Sequence, residues 1–211
     1  MGLFISFEGG EGSGKSTQAE RLARRLRAHH CQVLLTYEPG GTALGNELRD
    51  LLKSNPRVAL SAGAELLLFA AARSQLTQEV ILPALDQGVC VICDRYMDST
   101  TAYQGYGRGL PLDTVETVNR FATHGLQPDL VFLLDMQPDE SLERKRLPRD
   151  RIEDEGSSFH KRVRAGYLEM AAREPKRWLV VDAALQPDEV EQRIWSRIEP
   201  LLQRQRSNPP S

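Results

Sequence analysis

Along the chain, short apolar runs rich in β-branched residues alternate with longer stretches in which apolar positions recur every three or four residues. The short runs predict strands at Leu3–Phe7, Val33–Tyr37, Val89–Cys93, Leu130–Leu134 and Trp178–Val181. Between them, Ala19, Leu22, Ala23 and Leu26 share one helical face after a glycine-rich turn. Val190, Ile194, Ile198 and Leu202 do the same near the C-terminus, where Asp188 and Glu189 complement the positive end of the helix dipole. Residues 62–86 read as one long helix entering the third strand, with Pro83 placed to kink its last turn. Strand and helix in alternation predict an α/β fold, a five-stranded parallel sheet flanked by helices on both faces. Neither a repeat nor a linker divides the pattern, so one domain is expected over 1–203, followed by a polar tail, 204–211, expected to fray.

Two stretches break the alternation. Residues 98–110 are rich in Gly, Thr and Tyr and follow the C-terminal end of a strand, where open α/β sheets place their ligands. Residues 143–155, ERKRLPRDRIEDE, are densely charged with almost nothing to bury. Such a run is either a solvated loop or a mobile lid, here about 143–156, whose arginines fold over phosphates.

Composition narrows the class. With 40% apolar and 27% charged residues among 211, the chain can build a core and is not disordered throughout. The longest apolar run, Leu66 to Ala72, is far too short to cross a bilayer, so no membrane association is expected. A net charge of −2 argues against a dedicated nucleic-acid binder. Three cysteines are too few for a disulfide scaffold, and with no signal-peptide pattern a cytoplasmic location is expected. The opening MGLFIS meets the loose myristoylation pattern but runs straight into the first strand, and is read as chance. Of the 27 basic residues 22 are Arg, which suits phosphate recognition and equally suits a GC-rich genome.

The strongest chemical signal is Gly9-Gly10-Glu11-Gly12-Ser13-Gly14-Lys15-Ser16, a complete G-x-x-x-x-G-K-[ST] between the first strand and the first helix, followed by Thr17. Glycines let consecutive N–H groups turn onto phosphates, Lys15 reaches the transferring phosphate, and Ser16 offers a hydroxyl to Mg²⁺. The fold is therefore of the P-loop NTPase kind, with a nucleoside triphosphate as ligand. No N-K-x-D guanine-reading motif is present, which favours ATP. Asp94, ending an apolar strand, is placed to hold the Mg²⁺ shell, and Arg95 beside it suits neutralisation between donor and acceptor phosphates. Cys90 and Cys93, three apart on a strand, face opposite sides and read as core.

Together these residues resemble the thymidylate kinase (dTMP kinase) family of bacterial type, over nearly the whole chain. The resemblance rests on FEGGEGSGKST at 7–17, EPGGT at 38–42, FAAARSQ at 69–75, DRYMDSTTAYQGYGRG at 94–109, PDL at 128–130 and DRIE at 150–153. It implies transfer of the γ-phosphoryl group of MgATP to dTMP by a homodimer formed through helices that include residues 62–86. It implies that Glu11 accepts from the sugar 3′-hydroxyl, Phe69 stacks on thymine, and Arg73 donates to a thymine carbonyl. Arg49 and Arg95 would clamp the acceptor phosphate, Thr100 and Gln104 would meet the base edge, and Tyr103 would pack on the deoxyribose. Glu38 would organise Mg²⁺ or the acceptor site, and Arg151 would be the lid arginine on the ATP phosphates. The catalytic set is then Lys15, Asp94, Arg95 and Arg151. The lid departs from the family by being shorter between Leu142 and Asp150, with a stiffening Pro148, so the roles of Arg144, Arg146 and Arg149 stay open. Two other readings compete: a deoxynucleoside kinase, which needs a carboxylate base such as Glu38 but no phosphate clamp, and a P-loop ATPase acting through a protein partner.

Overall fold

The computed structural model describes residues 2–54, 59–140 and 150–207. The predicted lid's residues 143–149, with Arg144, Arg146 and Arg149, and the tail's 208–211 lie outside the described residues. The strands are β1 (Phe4–Gly9), β2 (Val33–Tyr37), β3 (Cys90–Asp94), β4 (Leu130–Asp135) and β5 (Trp178–Asp182). All pair in parallel in the order β2-β3-β1-β4-β5, so β1 and its loop lie at the centre of the sheet. The helices are α1 (Lys15–Ala28), α2 (Ala43–Ser54), α3 (Ala62–Leu76), α4 (Leu82–Asp86), α5 (Met97–Thr100), α6 (Leu112–Ala122), α7 (Ser157–Arg173) and α8 (Pro187–Ser207). The last helix thus extends to Ser207, four residues into the stretch expected to fray.

Alternation within the apolar runs decides which residue feeds which layer. Ile5, Phe7, Ile92, Phe132 and Leu134 point to one face, where Leu22 and Leu26 of α1 and Val190, Ile194 and Ile198 of α8 cover them. Val131 and Leu133 point to the other face, against Phe159, Val163 and Tyr167 of α7, while Phe4, Val91 and Cys93 meet Leu76, Ile81 and Leu85. Cys90 and Cys93 enter opposite layers, as their spacing predicts. Truncating a fully buried ring such as Phe132 to alanine would cost about 3–5 kcal/mol.

The helical region 62–86 is interrupted earlier than Pro83 suggested. Thr77–Ile81 form a π-helical turn, closed by the N–H of Leu82 on the carbonyl of Thr77. Pro83 has no N–H for the carbonyl four residues back, and the wider turn accommodates that gap before α4 begins. A second π-helical turn, Thr101–Gly107, follows α5 in the stretch that broke the sequence pattern. The second lies beyond the C-terminal end of β3, while the first leads through α4 to that strand's start.

Candidate active site

The loop after β1 is built for anions. Gly9 has φ +135°, and a Cβ there would come within 2.4 Å of the Leu134 carbonyl oxygen, so only glycine lets the loop leave the sheet beside β4. Gly14, at φ 91°, caps α1 without any side-chain hydrogen bond, which leaves the first N–H groups of the helix for a phosphate. Lys15 Nζ donates to the Gly10 carbonyl at 2.7 Å, folding the ammonium back over the loop. Burial, and then the positive charge of Arg95, lower the Lys15 pKa to about 8. Ser16 Oγ donates to Asp94 Oδ2, while Asp94 Oδ1 is buried without a hydrogen-bond partner. A hydroxyl and a carboxylate with an oxygen to spare are hard ligands suited to Mg²⁺. Among the described residues no cluster of three or more His, Cys, Asp or Glu gathers to hold a metal by protein alone.

Of the spaces that open around this loop, two meet at Arg95. One is a wide cleft lined by Gly12, Gly14, Lys15, Ser16, Thr17, Glu38, Arg49, Lys53 and Asp94. The other is a narrower cavity walled by Phe69, Thr100, Tyr103, Gln104, Pro39 and Ile152. Glu11, Lys53 and Arg95 line both, so an ion pair of Arg95 Nη2 with Glu11 Oε1, 2.5 Å long, stands where they join. Arg95 holds a left-handed backbone (φ 71°), its N–H donating to the Phe7 carbonyl at 2.9 Å. The guanidinium also donates to the Gly9 carbonyl and lies 5.2 Å from the Tyr103 ring centre. Arg49, donating to the Pro39 carbonyl and lying over Tyr37, supplies a second cation to the cleft.

Under Arg95 sits a group that the sequence pattern missed. Glu8 is fully buried; its Oε1 accepts the Tyr96 N–H at 2.8 Å and its Oε2 accepts Ser99 Oγ at 2.5 Å and Tyr167 OH at 2.9 Å. The expected strand ended at Phe7, but β1 continues to Gly9 and carries Glu8 into the sheet beside Leu133. Burial, and then the charge of Asp98, raise its pKa to about 7.

Two arginines sit differently from what the resemblance implies. Arg73 is 1% exposed and lines neither space. Its Nε donates to Glu38 Oε2 at 2.8 Å, Nη1 to Asn119 at 2.9 Å, and Nη2 to the Tyr96 carbonyl. A buried guanidinium needs such partners, and here they are protein groups. Burial raises the Glu38 carboxyl to about 7 despite Arg73, and its Oε1 has no partner. Arg151 does not face the P-loop: its Nη2 pairs with Glu65 Oε2 at 2.7 Å and its Nε donates to the Leu52 carbonyl. Ile152 and Glu153 beside it are buried, so residues 150–153 of the expected lid are packed down. Thr100 and Gln104 stand across the α5-to-π junction rather than on one regular helix, yet both line the smaller cavity with Phe69.

A family model for thymidylate kinase matches residues 7–194, most of the chain. The chain belongs to the thymidylate kinase family. Among curated members, thymidylate kinase of Dehalococcoides mccartyi (strain ATCC BAA-2266 / KCTC 15142 / 195) is 52% identical over 203 residues, covering 96% of this chain and 98% of its own length. Thymidylate kinase of Deinococcus radiodurans is 47% identical, with 94% of this chain and 97% of its own covered. The crystal structure of thymidylate kinase from Ehrlichia chaffeensis superposes with a TM-score of 0.76 at 34% identity, covering 92% of this chain and 97% of that one. The P-loop NTPase architecture of this thymidylate kinase family member is therefore shared.

Proposed function

We propose that the protein is a dTMP kinase, which moves the γ-phosphoryl group of ATP to dTMP and yields ADP and dTDP for dTTP synthesis. The observation that carries this reading is the junction at Arg95 and Glu11, between a cationic P-loop cleft and a cavity bearing an aromatic wall and an amide. ATP occupies the cleft, with phosphates on the loop N–H groups and Lys15. The acceptor base lies against Phe69, an offset contact of about 1 kcal/mol beyond burial, near Thr100 and Gln104, with its sugar on Tyr103 and Glu11. Arg49 and Arg95 hold its phosphate. Ser16 and Asp94 would hold Mg²⁺, which would supply charge to offset that of the donor phosphates.

An acceptor phosphate oxygen attacks the γ-phosphorus and the bridging P–O bond to ADP breaks, the electron pair leaving with ADP. The nucleophile is already an anion, so no general base is required. Positioning and charge neutralisation supply the catalysis. For Arg73 and Arg151 to touch substrate they must exchange Glu38 and Glu65 for it. Reduced cysteines and the absence of a membrane-crossing helix among the described residues fit a cytoplasmic enzyme. Leu67 on α3 is 61% exposed and Phe121 on α6 81% exposed, which supports a homodimer through these helices.

The test is coupled ADP release with MgATP and dTMP, dUMP, thymidine, dCMP, dGMP or no acceptor. Turnover on dTMP, weaker on dUMP and absent on thymidine is expected. Release indifferent to the acceptor would leave an ATPase instead.

A further inference from the structure

The smaller cavity reads a base with side chains of two kinds. Thr100 presents a buried hydroxyl with no partner, and a hydroxyl turns to donate or accept as the ligand requires, so it cannot tell one ring edge from another. The charged residues lining the cavity are engaged with one another: Lys53 with Asp150 at 3.0 Å, and Arg95 with Glu11. Gln104 remains. An amide is two-faced, donor at one end and acceptor at the other, and its neighbours decide which end points where.

Here the neighbour is Glu65, 1% exposed on α3. Gln104 Nε2 donates to Glu65 Oε1 at 2.8 Å. The same carboxylate accepts from Arg108 Nε and Nη2, each at 3.1 Å, and pairs with Arg151 at 2.7 Å. Burial alone would favour the protonated acid, but the donors from Arg108, Gln104 and Arg151 hold this carboxyl below its ordinary range. A carboxylate kept ionised only accepts, so it can be met only by the nitrogen end of the amide. Gln104 lines the cavity, and among the described residues no group donates to its side-chain carbonyl oxygen.

We infer that Glu65 is a specificity-determining positioning residue: by fixing the amide of Gln104 it turns the carbonyl oxygen to the base and selects pyrimidines carrying a hydrogen on N3. Thymine and uracil donate that hydrogen to the oxygen. Cytosine meets it with a lone pair, and two acceptors are forced together in a site with little water. A pocket of fixed polarity rejects the wrong edge far more strongly than one that merely lacks a contact. This rests on the dTMP kinase reading and adds to it the origin of base choice.

The experiment compares kcat/KM for dTMP and dCMP in the full-length enzyme with MgATP, for wild type, Glu65→Gln, Glu65→Asp and Arg108→Met. The ratio of the two values cancels any loss of folded enzyme. In Glu65→Gln the new amide donates as well as accepts, so either orientation of Gln104 is satisfied, and the ratio should fall by about tenfold or more. Glu65→Asp, still an acceptor only, should keep most of the ratio, whereas Arg108→Met, which removes the first of the donors that hold Glu65 ionised, should lower it. An unchanged ratio in Glu65→Gln, or a fall in Glu65→Asp as large as that in Glu65→Gln, overturns the inference while leaving the function intact. Failure of wild type to phosphorylate dTMP removes the function itself. Should Glu65→Gln not fold, calorimetry on wild type with dTMP and 5-methyl-dCMP decides: much tighter dTMP binding supports the inference, and equal affinity overturns it.

Discussion

Replacing Glu8 with glutamine separates the charge of this side chain from its shape. Glu8 titrates near 7 in the folded protein because burial and then Asp98 disfavour its anion, against an ordinary value of 4.5. Between those values the folded state binds a proton that the unfolded state releases, so the stability contributed by Glu8 is present at low pH and lost as pH rises through 7. At about 1.4 kcal/mol per pH unit, the loss between pH 5 and 8 is about 2–3 kcal/mol. In Glu8→Gln the side chain keeps an oxygen for the Tyr96 N–H and an amide nitrogen for the hydroxyls of Ser99 and Tyr167. It has nothing to titrate. Urea unfolding of both proteins at pH 5, 6, 7 and 8 gives the difference directly. The variant should gain on wild type by about 2–3 kcal/mol across the series, or roughly 5–10 °C in Tm for a chain of this size. A difference that is flat with pH would refute the assignment, since the lost hydrogen-bond geometry alone does not vary with pH.

Lys15→Met should remove most turnover while dTMP binding by calorimetry stays nearly intact, and retained kcat would refute the role given to Lys15. With its pKa lowered to about 8, chiefly by burial, Lys15 loses its charge above that pH in the free enzyme, so kcat/KM for ATP should fall as pH rises past 8. Arg73→Met strands Glu38 in the interior and should cost about 3–5 kcal/mol of unfolding free energy, more than Arg49→Met at the more open cleft wall. Phe121→Asp combined with Leu67→Asp should shift the sedimentation coefficient to that of a monomer with the fold unchanged by circular dichroism.

The sheet and the P-loop were legible because each is encoded locally. Val33–Tyr37 and Val89–Cys93 are short apolar runs of strand length, met by β2 and, one residue later, by β3, and the loop's glycines and Lys15 are contiguous. The unread features are those set by partners far along the chain. Glu8 looks like one more polar residue after an apolar run until Tyr96, Ser99 and Tyr167 close around it. Glu65 sits in a helix whose apolar neighbours dominate the pattern, and its meaning comes from Gln104, Arg108 and Arg151. The π-helical turns at Thr77–Ile81 and Thr101–Gly107 escape because one widened turn leaves no mark in a 3.6-residue period. Resemblance assigned Arg73 to the base, yet the donors its guanidinium spends on protein depend on Glu38 and Asn119, which no spacing rule connects to it.

The left-handed backbone at Arg95 is a strain that the side chain's own contacts offset. That conformation costs an arginine about 1–2 kcal/mol and a glycine almost nothing. Glycine there would relieve the strain but forfeit the ion pair with Glu11, the bond to the Gly9 carbonyl and the contact with the Tyr103 ring. A laboratory lineage screened only for survival at high temperature therefore finds no shortcut through this codon, because the side chain that joins donor to acceptor also ties the loop down.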